Sequence, residues 1–183
     1  MTGQAQIGVG GNPVPWRMIG WGGVFAILLL PAIAMNFTDE LNWSVGDFIF
    51  AALLMGSVGL AMELTARASP NFAYRAGAGA ALVASFLTIW ANGAVGMIGS
   101  EDNPLNLIFL GVLAIALLGA VIARFRPAGM ARAMTVAAIA QFLAGTIGLS
   151  TDMLGAILSA SFAALWLGSA ALFHKAARKS GLA

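Results

Sequence analysis

Proton transfer, nucleophilic attack and metal binding need ionisable or soft side chains. This chain offers few: seven Asp and Glu, one His and no Cys among 183 residues. The lack of cysteine removes thiol catalysis, disulfides and Cys-ligated zinc together. The lone His174 cannot build a His-rich metal site; at the end of an apolar stretch and followed by Lys175, it reads as an interfacial anchor. Gly8, Gly10 and Gly11 follow no strand and lead to no lysine, so they form no phosphate loop. Asp47 and Glu63 are the acids inside an apolar stretch, where ionisable groups are costly and often functional. Sixteen steps of about 1.5 Å separate them by roughly 24 Å, on nearly opposite faces of one helix. They therefore form no paired acid–base site. Asp47 has a structural role available, because Ser44-Val-Gly-Asp47 matches a capping box. Glu63 precedes Arg67 by four residues, the favourable order for a helical ion pair; a buried proton or cation site is the alternative. Gln141 falls about 13 Å beyond Arg132, near mid-membrane, and suits an interhelical hydrogen bond or a substrate contact. No catalytic, cofactor-binding or metal-binding residue is expected. The candidate polar site consists of Asn92, Gln141, Glu63, Glu101 and Asp102.

The elements that must carry these residues are membrane helices. Charged residues make up 9% of the chain and hydrophobic ones 60%; a soluble domain usually carries about 25% charged residues. A spanning helix needs roughly 20 apolar residues. Six stretches are expected to span: Met18–Phe37, Val45–Leu64, Ala76–Ser100, Asn103–Ala123, Ala133–Thr151 and Met153–Phe173. Ser69-Pro70 and Asn103-Pro104 read as N-caps followed by proline, Arg126-Pro127 as a helix stop, and Thr151 or Asp152 as the cap of the sixth helix. Trp16, Trp21 and Tyr74 fall near one interface and Trp43 near the other. The connections are short, so sequential helices are antiparallel neighbours. With the N-terminus in the cytoplasm, all nine basic residues lie inside: Arg17, Arg67, Arg75, Arg124, Arg126, Arg132, Lys175, Arg178 and Lys179. Six of the seven acids, Asp39, Glu40, Asp47, Glu101, Asp102 and Asp152, lie outside. This satisfies the positive-inside rule and predicts both termini in the cytoplasm. A competing reading takes the first span as a signal peptide, with Ala32-Ile-Ala34 as its cleavage site, although its apolar run is long for one. The organisation is then a flexible cytoplasmic leader at 1–15, one bundle at 16–174 and a basic cytoplasmic tail at 175–183.

Glycine and alanine spacing carries further expectations. Ala160, Ala164 and Gly168, and likewise Gly77, Ala81 and Ser85, recur every four residues and suit close helix packing inside the bundle. Gly93, Gly96 and Gly99 follow Asn92 at three-residue spacing. They either press one helix against a neighbour or loosen it, so that freed carbonyls, Asn92, Glu101 and Asp102 form an oxygen-lined pocket for a hard cation or protonated amine.

Three segments carry a resemblance: WANGAVGMIGSEDNP from Trp90 to Pro104, ARFRPAGMARAM from Ala123 to Met134, and FTDELNW from Phe37 to Trp43. Together they resemble a group of small bacterial inner-membrane proteins to which no reaction is attached. The resemblance implies a Gram-negative inner-membrane location and supplies no residue role, cofactor or partner. The net charge of +2, without a basic stretch interleaved with aromatics, excludes nucleic acid as a partner. The expected protein is all-α and polytopic, with the lipid bilayer as its surroundings and about six spans in an antiparallel bundle. It is expected to be a non-enzymatic accessory or assembly component, with a small transporter or channel for a cation or small solute as the alternative.

Overall fold

The computed structural model describes residues 16–38 and 41–179. The expected leader at 1–15, the outer acids Asp39 and Glu40, the side chain of Arg17 and the last four residues of the basic tail lie outside the described residues. All regular structure among the described residues is helical: α1 (Trp16–Ala34), α2 (Val45–Ala68), α3 (Phe72–Ala94), a 3-10 turn (Pro104–Leu107), α4 (Ile108–Ile122), α5 (Pro127–Ile147) and α6 (Met153–Lys179). Five helical segments are long and apolar enough to cross a membrane; α1 is a shorter apolar helix. The protein is thus an all-α, multi-pass membrane-type bundle.

Local chemistry explains the boundaries. The Ser44–Asp47 capping box forms: Ser44 N–H donates to Asp47 Oδ2 at 2.7 Å, and Asp47 N–H to Ser44 Oγ at 3.3 Å. At the start of α3 the cap lies two residues beyond the expected Ser69. Asn71 Oδ1 accepts from Ala73 N–H (2.9 Å) and Tyr74 N–H (3.3 Å), while Ser69 Oγ holds the Asn71 amide. The Asx carboxamide reaches two free amides, and Pro70 stands outside the helix instead of opening it. Asn103 caps the 3-10 turn through Leu105 N–H, with Pro104 in its first position as expected. Asp152, not Thr151, caps α6 through Gly155 N–H at 2.8 Å. Arg126 is extended before Pro127. The reversal between α4 and α5 is made just before it, by two non-glycine residues in left-handed conformation, Arg124 (φ 50°) and Phe125 (φ 56°). Such residues are held only where surrounding contacts over-determine them; here the Tyr74 hydroxyl donates to the Phe125 carbonyl at 2.7 Å.

The chain forms two compact units, Met1–Gly59 and Leu60–Ala183. In the first, the Trp21 ring lies over Gly59, where a methyl group would meet it at 3.2 Å. α1 ends at Ala34, three residues before the expected boundary, and the Asn36 carboxamide donates to the Ala32 carbonyl (2.8 Å).

In the second unit α5 is central, packed against α6 and α4, and α3 packs on α6. Its buried stripe is made of small side chains around Met130, Met134 and Gln141, so neighbouring backbones come close. A Cβ on Gly145 would lie 2.5 Å from Ser159 Cβ, so only glycine allows this α5–α6 approach. The expected packing stripe Ala160–Ala164–Gly168 is exposed instead. The buried face of α6 runs through Ser159, Phe162, Trp166, Ser169 and Phe173, with Ala156, Ala163 and Ala170 beside them. On α3 the expected contact at Gly77 is present: the Phe173 ring covers it and Ser169 Oγ donates to its carbonyl at 2.7 Å. Leu117, Leu118, Ile122, Phe142, Leu143 and Leu154 all point outward. Water would penalise so large an apolar surface, and lipid does not.

Candidate functional site

The mid-bundle polar residue is Gln141, with no exposed surface. Its Nε2 donates to Ser159 Oγ on α6 at 3.2 Å, and Ser159 Oγ donates back to the Gln141 carbonyl at 2.7 Å. Thr88 Oγ1 on α3 donates to Gln141 Oε1 at 3.4 Å. Thr88 and Ser159 are also completely buried. Three helices are thus joined through one carboxamide. All the groups are neutral, and the cluster ties the three helices together.

Around Gly93, Gly96 and Gly99 the helix loosens beyond Asn92, as one of the two expectations has it. α3 ends at Ala94, and Gly96 (φ +74°) and Gly99 (φ +71°) take left-handed conformations. A Cβ on Gly96 would lie 2.6 Å from the Ser100 carbonyl carbon, so a side chain there is excluded twice. Gly93 meets nothing within 4 Å, which removes the close-packing reading. Asn106 takes up several of the freed backbone groups. Its Oδ1 accepts from Met97 N–H (3.0 Å) and Ile98 N–H (2.8 Å), and its Nδ2 donates to the Ser100 carbonyl (2.8 Å). Asn103 Nδ2 donates to the Ile98 carbonyl at 2.8 Å. Asn92 Nδ2 donates to the Asn106 carbonyl at 3.1 Å. Gly99 N–H donates to Asp152 Oδ2 at 3.2 Å, fastening this loop to the start of α6. Glu101 and Asp102 are exposed and do not face Asn92 across a cavity among those described. Asn106, the organiser of the loop, was not among the residues singled out from the sequence. The signal available was three asparagines, Asn92, Asn103 and Asn106, bracketing a glycine-rich turn.

Glu63 is buried and forms an ion pair with Arg67, one turn on along α2. The five candidates therefore divide among a mid-bundle cluster, an asparagine-held loop, an exposed acidic turn and an ion pair within α2. No group of three or more His, Cys, Asp or Glu that could hold a metal occurs among the described residues. One further cavity, about 240 Å³, is lined by α3–α6 and the end of α2. Its lining hydroxyls, those of Thr65, Tyr74 and Ser85, are each bonded to a carbonyl. Trp166 also lines it, and its indole N–H has no partner. Comparison of the chain with protein-family models, with curated proteins and with solved structures yields no match.

Proposed function

We propose that this chain is a non-enzymatic accessory or assembly component of the bacterial inner membrane, crossing it six times with both termini in the cytoplasm. The observation that carries the reading is the engagement of Gln141. Gln141 is the deepest polar group a solute pathway could use, and its donor and acceptor are taken up by Ser159 and Thr88 in a buried setting. Support for the orientation comes from charge placement in the second unit. Glu101, Asp102 and Asp152 share the end fastened by the Gly99–Asp152 bond. Arg75, Arg124 and Arg126 share the opposite end, where Tyr74 meets Phe125.

Two measurements test this reading. Extracted gently from native membranes, the chain is expected to migrate in an assembly with another integral membrane protein at fixed ratio; recovery as this chain alone contradicts an accessory role. Reconstituted in liposomes, it is expected to leave potassium and sodium flux at the level of empty vesicles. Flux that Gln141→Leu abolishes establishes the transport alternative.

A further inference from the structure

Two shallow hollows adjoin at Ala171 and His174 near the last turns of α6. The larger, about 690 Å³, lies between α5 and α6, with Arg132 and His174 at its charged edge and Val136, Leu167 and Ala170 in its apolar wall. The second, about 490 Å³, is lined by His174, Lys175, Arg178 and Lys179. No Asp or Glu lines either one. The acid preceding α6, Asp152, stands 22 residues before His174, about 33 Å away along that helix. Glu63 is taken up by Arg67 on α2. Four cations and an imidazole thus surround a groove that is apolar along one side and basic at one end. Basic pockets between membrane helices recognise phospholipid headgroups in this way.

We infer that the α5–α6 groove ending at Arg132, His174 and Lys175 is a binding site for an anionic phospholipid. The phosphodiester lies among Arg132, the His174 imidazole and the Lys175–Lys179 segment, and one acyl chain lies along Val136 and Leu167. Arg132 supplies several donors in a fixed fork, and the lysines supply mobile point charges. The apolar wall sets a lipid apart from free phosphate: an inorganic ion would use the charges and gain nothing from Val136, Leu167 and Ala170. Thr135 takes no part in headgroup recognition, because its hydroxyl is bonded to the Ala131 carbonyl at 2.9 Å. The inference rests on the helices crossing a bilayer and is independent of whether the chain has a protein partner.

Native mass spectrometry of the full chain in detergent, titrated with phosphatidylglycerol or phosphatidylcholine, tests the site. Phosphatidylglycerol is expected to be retained in preference. Removing one cation near a membrane surface is expected to weaken it about fivefold, so Arg132→Gln and Lys175→Gln each produce that loss and leave phosphatidylcholine unchanged. Ala171→Trp fills the junction of the two hollows without altering charge and is expected to weaken phosphatidylglycerol as well. Arg126→Gln, on the α4–α5 connection, is expected to leave it intact. Millimolar inorganic phosphate is expected not to displace the lipid. Absence of a phosphatidylglycerol preference, equal loss with Arg126→Gln, or displacement by inorganic phosphate overturns the site. Circular dichroism confirms that each variant remains helical, and Arg132→Gln, an exposed position, decides the matter if Ala171→Trp does not fold.

Discussion

Gln141 and Asn106 are buried carboxamides with opposite tasks. Gln141 joins side chains across three helices, whereas Asn106 replaces the missing helical partners of a broken backbone. Leaving a buried donor or acceptor unmatched costs about 1–3 kcal/mol. Asn106→Ala strands two amides and a carbonyl, so it is expected to destabilise the second unit by about 3 kcal/mol in a detergent unfolding titration. A loss under about 1 kcal/mol contradicts the organising role of Asn106. Gln141 was legible in the sequence because a carboxamide inside a charge-free span needs a partner. Its partners were not. Thr88 and Ser159 have the same local appearance as Ser85, Thr135 and Ser161, whose hydroxyls bond the carbonyl four residues back in their own helix. Only the approach of α3 and α6 to α5 distinguishes the two groups.

Helix composition and capping chemistry made the elements readable, and their faces stayed hidden. The capping box at Ser44–Asp47 is local, so sequence spacing sufficed to find it. At Ser69-Pro70-Asn71 two adjacent residues could each cap, and the sequence does not rank the longer reach of Asn71 against the proline signal. The α6 faces were misassigned for a related reason: a stripe of small residues looks the same whether it meets a helix or lipid. A paired substitution separates the two surfaces. Gly145→Val drives a side chain into Ser159 and is expected to cost about 1–3 kcal/mol through overpacking. Gly168→Val, where nothing lies within 4 Å, is expected to stay within about 0.5 kcal/mol. Equal costs in thermal unfolding contradict the assigned α6 face.

On the scale of the whole molecule, the distribution of charge along the chain and the closure of its core make separate claims. For the first, reporter fusions after residues 40, 102 and 152 are expected to report the outside, and fusions after 70, 128 and 180 the cytoplasm. A reversal between neighbouring sites contradicts six spans with the N-terminus inside. The second claim, that the second unit is closed to water around Gln141, is the one on which the accessory reading depends. The chain contains no cysteine, so a single introduced thiol reports without background. Ser159→Cys keeps the size of the side chain at the buried contact with Gln141, and Glu101→Cys places a thiol on the exposed turn. In native membranes, a charged, membrane-impermeant maleimide is expected to label Glu101→Cys readily from the outer side and to leave Ser159→Cys unlabelled. Labelling of Ser159→Cys under the same conditions would show a water path to the Gln141 cluster and contradict the closed bundle.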